Sequence, residues 1–327
     1  MNEIPGHVLP TYSEEAREDT LFHYTTANGL LGILRNKEIW STAYYCANDE
    51  SELSVGKGVL TPLFRSKTHG MIRAAHPQVC TFSKRGVDIQ HYADQFEQMI
   101  VGHALSLLCV YITCFCKPIS KEDFTHGLLS QWRGYGVDGG YALQFSRKKL
   151  EAAVERVYKI DGLNYDLLDV YYTSDNPLKV EVLKHSHAYT SAFLNYLDEL
   201  ENFDFNKTTM QSPIANLPGG PLESLLNFLV YTKNQHFVEE RECRLSLVEP
   251  VSSEIGGLSV DYFNRNGLIV PFTKTPSSSF NVLECIEWII IGPGPRIGAR
   301  FNSITQMVRK MGLKIKVRPS HIPFSRV

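Results

Sequence analysis

The sequence predicts an α+β fold. Apolar runs of strand length are mixed with amphipathic stretches of helical period, without the strict alternation of a doubly wound sheet. A long helical block over residues 150–236 stands between the early strands and a Glu-rich strand at 242–248. No repeat of fixed period is visible. Hydrophobic and charged contents of 43% and 21% are those of an ordinary globular chain, and 327 residues can bury a sizeable core.

Taken in order, residues 1–20 are polar and read as a flexible arm. Residues 21–43 read as strand, helix, strand. Leu30, Leu31, Ile33 and Leu34 share a helical face, and Asn36 is the helix stop. Asn48-Asp49-Glu50 fits a turn and helix start. Residues 61–84 are basic and irregular, which predicts a surface loop. Residues 87–105 carry Ile89, Tyr92, Phe96, Met99 and Ile100 near one face, a helix, and 107–115 is a core strand. Residues 124–135 form a short helix. After a Gly-Gly turn, 139–145 is a strand, and Ser146 suits the N-cap of a helix over 147–157. Strands follow at 168–172, 242–248, 267–271, 283–291 and 313–317. Helices follow at 177–200, 221–236 and 296–311, with a polar linker around Pro218-Gly219-Gly220. The domain organisation expected is one domain over 21–327, with the helical insertion inside it.

A net charge of −2 and a pI near 6.6 imply no strongly basic surface, so nucleic acid is not a required partner. Seven cysteines, an odd number with loose spacing and no secretory leader, read as thiols of a reducing cytoplasm. Residues 100–116 lack charge but fall short of the ~20 apolar residues of a membrane span. They read as a buried helix running into a buried strand, and no membrane partner is expected.

Two segments carry possible chemistry. The first is LFHYTT, a strand ending on His23 before Tyr24, Thr25, Thr26 and a helix. The second is VEERECRL. Read as a strand, it puts Glu240, Glu242 and Arg244 on one face and Arg241, Cys243 and Leu245 on the other. Two carboxylates beside an arginine make a poor core and suit a polar cleft. The competing reading is a solvated helix end held by i,i+3 and i,i+4 pairs. Cys109, Cys114 and Cys116 with His103 and His126 lack a second pair at zinc spacing, so they read as buried thiols and no metal is expected. The Gly292-Pro-Gly-Pro-Arg296 loop reads as a rigid turn, because its prolines lack N–H donors for phosphate. No Ser-His-Asp arrangement can be named.

HYTT…GLLGIL…IWST, Asn48-Asp49 with Glu52, CFC, QWRGYG…GGYALQF, EERECRL and IIIGPGP occur in that order. Together they resemble the bacterial domain-of-unknown-function 2971 family. The strand–His–hydroxyl–helix order also resembles the first motif of ADP-ribosyltransferases, with Tyr24 where those enzymes carry Gly. The resemblance implies split antiparallel or mixed β-sheets with flanking helices. It implies NAD as substrate and cleavage of the nicotinamide–ribose bond, in a phage-defence or toxin setting. His23 would bind the ribose hydroxyls, the Tyr24 backbone the carboxamide, and Thr25 would assist. Glu242, with Glu240 as second choice, would act on the oxocarbenium-like transition state. Tyr44, Tyr45 or Tyr135 would stack on nicotinamide, and Arg133 would meet the diphosphate. Trp132 reads as core. The product would be ADP-ribose on a protein or nucleic-acid acceptor, or on water. The alternative is a non-catalytic nucleotide-sensing or partner-binding module of a defence system.

Overall fold

The computed structural model describes residues 9–47, 52–74, 76–86, 88–135, 139–161, 165–172, 178–201, 219–250, 259–274 and 281–323. The expected turn at Asn48-Asp49-Glu50 and the Pro218 end of the polar linker lie outside them.

The amino-terminal part opens with α1 (Glu14–Glu18), β1 (Thr20–Thr25), α2 (Ala27–Asn36) and β2 (Trp40–Ala43). The loose arm expected over 1–20 is corrected for its later residues. Ser13 caps α1 by accepting from the Ala16 amide at 3.0 Å. Asp19 accepts from Ser146 Oγ at 2.8 Å and from the Lys148 amide at 2.7 Å. In α2 the Thr26 hydroxyl accepts from the Gly29 amide, and Leu30, Ile33 and Leu34 are buried. Lys37 ends the helix in the left-handed region, one residue past the expected stop.

Next come α3 (Glu52–Arg73), α4 (Pro77–Lys84), α5 (Ile89–Leu107) and β3 (Leu108–Cys116). The surface loop expected at 61–84 is therefore helical. Its basic residues Arg65, Lys67, Arg73 and Lys84 are exposed, while Thr68, Val79 and Phe82 face inward. The charge had masked an amphipathic period. Then follow α6 (Lys121–His126), α7 (Leu129–Tyr135), β4 (Tyr141–Ser146), α8 (Arg147–Asp161) and β5 (Tyr165–Asp169). Ser146 Oγ accepts from the Lys149 amide, the N-cap expected of it. The chain continues through α9 (Leu178–Lys184), α10 (Ser186–Glu201), α11 (Gly219–Val230), β6 (Glu242–Pro250), β7 (Val260–Arg265) and β8 (Leu268–Lys274). It ends with β9 (Ile286–Ile291), α12 (Ile297–Lys310) and β10 (Lys316–Pro319).

The fold is α+β, with a ten-stranded open sheet and flanking helices. Every strand pair is antiparallel except β9–β10. The sheet forks at β3. One edge of β3 is taken along its whole length by β6. The other edge is shared: β2 pairs at Ile112 and Tyr111, and β1 pairs at Cys116. Beyond β1 run β4, β9 and β10; beyond β2 run β8 and β7. Strands β1 and β2 take successive stretches of that one edge and lead to different branches of the sheet, and a cleft opens at the fork.

The helical insertion is wider than the sequence suggested. The segment 150–236 contains β5, and its later helices share one apolar core with α4 and α5, which precede β3. Phe96, Phe193, Leu197, Leu225 and Phe228 lie at the centre of that core. A second core, under the sheet, joins Leu21, Leu34, Phe145, Leu245 and Ile289.

Candidate functional site

The cleft at the fork encloses about 760 Å³, within the range of small-molecule sites. His23, Tyr24, Thr25, Trp40, Cys114, Tyr135, Lys233, Glu240, Glu242, Arg244 and Arg265 are among the residues that line it. The cleft thus brings together His23, both carboxylates and one of the three candidate tyrosines; β1 does not end at His23 as expected but runs on to Thr25, held by its pairing with β4.

His23 stands where β1 parts from β3. Its Nδ1 lies 3.0 Å from the Cys114 carbonyl oxygen. A carbonyl only accepts, so Nδ1 carries the proton and the neutral ring keeps Nε2 as an acceptor. Burial pushes the imidazole below its ordinary pKa, against the opposing pull of that carbonyl. The ring supplies the hydrogen bond that the diverging strand withholds from Cys114. Tyr24 points away from this work. Its ring meets Trp132 edge-on at 4.8 Å, and its hydroxyl accepts from the Leu128 amide at 2.7 Å. Trp132 is fully buried, as expected of a core residue.

The acidic segment is not a single strand. Glu240 ends the 3₁₀ turn Gln235–Glu240, Arg241 adopts a left-handed conformation, and β6 begins at Glu242. Cys243 and Leu245 enter the core. Glu242 is 3% exposed, and its ion pairs explain how a carboxylate can sit there. Arg244 donates from Nε to Oε1 at 2.7 Å and from Nη2 to Oε2 at 3.1 Å. Lys233 Nζ donates to Glu242 Oε2 at 2.8 Å and to Glu240 Oε2 at 2.7 Å. Burial would raise the Glu242 carboxyl, but the charge and hydrogen bonds of Arg244, with Lys233, outweigh it and hold the group at about 2. The backbone amide of Glu242 donates to the Tyr172 hydroxyl at 2.7 Å.

Lys233 is the residue that sequence reasoning missed. It follows α11, where the Tyr231 hydroxyl bonds Ser246 Oγ and the Lys233 amide donates to the Tyr171 carbonyl at 3.0 Å. These contacts draw a lysine seven residues before Glu240 under both carboxylates. A lone Lys in a loop carries no signal of that in the sequence. Trp40, Phe237, Phe263 and Arg265 also line the cleft and were not singled out.

Three expected residues fall elsewhere. Tyr44 is buried in the core, its hydroxyl donating to the Leu229 carbonyl at 3.0 Å. Tyr45 is 70% exposed, and it and Arg133 lie outside the cleft lining. The turn Tyr44–Cys46 after β2 sends the two tyrosines to opposite environments. Arg133 sits on the solvent side of α7, whose buried side holds Gln131 and Trp132. Among the described residues no group of three or more His, Cys, Asp or Glu side chains could hold a metal ion, and no helix is long and apolar enough to cross a membrane. The Gly292–Arg296 turn is occupied from within. Arg300 donates to the carbonyls of Gly139 and Gly292, the latter at 2.7 Å.

No curated protein and no solved structure matches the chain. Residues 131–245, which hold Tyr135, Lys233, Glu240, Glu242 and Arg244 but neither β1 nor β2, match the model of the family described as Protein of unknown function (DUF2971).

Proposed function

We propose that the protein is an ADP-ribosyltransferase-like enzyme of the cytoplasm that binds NAD in the forked cleft and breaks the nicotinamide–ribose bond. The observation that carries the reading is the meeting of His23, Glu240, Glu242 and Tyr135 in one cleft of sufficient volume. The fork in the sheet supports it, since it sets His23 of β1 and the carboxylates before and at the start of β6 around one opening. In the reaction the glycosidic electron pair leaves with the pyridine nitrogen, giving neutral nicotinamide. The ribose C1, with oxocarbenium character, takes an oxygen or nitrogen nucleophile from water or a macromolecular acceptor, which loses a proton.

The chain's residues divide the work. His23 accepts from a ribose hydroxyl through Nε2. The backbone of Tyr24 and the hydroxyl of Thr25 hold the carboxamide side, and the Tyr24 ring stays out of the way. Tyr135, 46% exposed, offers a ring face. Both oxygens of Glu242 are taken by Arg244 and Lys233, so Glu242 fixes the two cations. Glu240 is more exposed, with Lys233 as its ion-pair partner, and presents its charge to the ligand. The full engagement of Glu242 also favours the second reading, a module that binds a nucleotide for a defence-system partner without cleaving it.

Nicotinamide release from NAD separates the two. The expected result is turnover that Glu240→Gln lowers by on the order of a hundredfold in kcat with little change in KM. Calorimetric binding of NAD without nicotinamide release would establish the sensor reading. Absence of both would remove NAD from the account.

A further inference from the structure

The cleft has aromatic side chains on both branches of the fork. Tyr135 belongs to α7, which packs on β1. Trp40 and Phe263 belong to β2 and β7, on the other branch. The His23–Cys114 bond marks the fork on one side. The bond from Thr113 Oγ1 to the Trp40 carbonyl, 3.1 Å, marks it on the other.

The β2 branch is built unlike a core. Trp40 is 39% exposed although it lies on a concave wall. Its ring stacks on Phe272 at 4.0 Å with 27° between the planes, and Phe263 lies 5.7 Å away. Strand register puts Trp40, Phe272 and Phe263 on one sheet face. Phe272 therefore backs the indole. The Arg265 guanidinium sits 5.3 Å over Phe263 and lines the cleft while Nη1 donates to the Cys46 carbonyl at 3.0 Å; Glu38, also in the lining, accepts from the Trp40 indole N–H at 3.2 Å, so the ring cluster has a cation at its Phe263 end and a carboxylate at the indole nitrogen. A backed, partly open indole beside an arginine suits a planar base carrying a phosphate.

We propose that the wall formed by Trp40, Phe263 and Arg265 seats the adenine base and its adjoining phosphate. The cleft then takes a dinucleotide lengthwise, with one planar ring on each branch and the scissile ribose at the fork. The choice of adenine rests on the NAD reading above; the wall itself rests on the ring geometry.

Nicotinamide mononucleotide tests the assignment, since it keeps the scissile bond and lacks the adenylate. Trp40→Ala is expected to raise KM for NAD on the order of tenfold, leave kcat within about twofold, and leave turnover of the mononucleotide unchanged. Phe263→Ala should act in the same direction, and Trp40→Tyr should restore most of the affinity. Equal losses on both substrates, or no loss on NAD, would overturn the wall. A second measurement does not depend on cleavage. The chain has three tryptophans, and Trp132 and Trp288 are buried. AMP is expected to quench the Trp40 emission saturably in the wild type, and calorimetry should show weakened AMP binding to Trp40→Ala. That outcome without any nicotinamide release would keep the wall and discard the proposed reaction. No AMP binding, or equal binding to wild type and Trp40→Ala, discards the wall.

Discussion

Glu242 is a carboxylate almost wholly withdrawn from solvent. A buried carboxylate survives only when its desolvation is offset, here by Arg244 and Lys233. Its folded pKa of about 2 lies below the 4.5 of an unperturbed Glu. The sign follows from linkage. The stabilisation is fully present above about pH 4.5 and is lost as pH falls toward 2. A difference of that size corresponds to on the order of 3 kcal/mol. Acid unfolding should therefore steepen between these values. Glu242→Gln should be less stable at neutral pH and should show a flatter dependence over the same window, measured by denaturant titration at several pH values. Equal slopes in both proteins would mean that the carboxylate is not held ionised by its neighbours. His23 works in the opposite sense, since desolvation lowers its imidazole pKa and so favours the neutral ring with Nε2 as an acceptor.

The β1–α2 unit explains one residue of the HYTT…GLLGIL segment in packing terms. Glycine inside a helix ordinarily costs about 0.5–1 kcal/mol relative to alanine. Gly29 nevertheless suits its neighbour as it stands, because a Cβ there would collide with the present position of Thr25 Oγ1. Thr25, which lines the cleft, can relieve the collision by rotating about χ1, and that moves its hydroxyl from its present position. Gly29→Ala should then change thermal stability little, since helix propensity and the collision offset each other. NAD affinity should fall by up to about tenfold, the worth of one hydrogen bond. Calorimetry together with a melting curve reads both. A large drop in melting temperature with unchanged affinity would place the role of Gly29 in folding alone.

At the level of the entire chain, the helical core and the cleft use separate residues. Phe96 is buried against Phe193 and Tyr196, with ring centroids 5.3 and 5.7 Å away, and none of the three lines the cleft. Phe96→Ala should cost about 3–5 kcal/mol of stability. Ligand affinity at a temperature where the variant is folded should stay within twofold. Joint loss of stability and affinity would show that the helical core supports the site mechanically.

Local patterning was enough to read much of this protein. The α+β class, a strand carrying His23, the cap at Ser146, the passage from helix to strand within residues 100–116 and the inward Cys243 and Leu245 all follow from periods, caps and apolar faces within a few residues of one another. The strand runs two residues past its expected end at His23, to Thr25, and Cys114, expected as a buried thiol, is exposed. The helices at 61–84 were hidden because the exposed Arg65, Lys67, Arg73 and Lys84 interrupt the apolar pattern there. The fork could not be read at all. It arises because β1 and β2, 14 residues apart at their closest ends, pair with one edge of β3 some 65 residues further on. The Lys233–Glu240–Glu242–Arg244 cluster and the Trp40–Phe263 wall likewise depend on long-range pairing. Sequence patterns report the conformation of a segment and the face it buries. Which segments then share an edge, and which charges are desolvated together, is set by packing between distant parts of the chain.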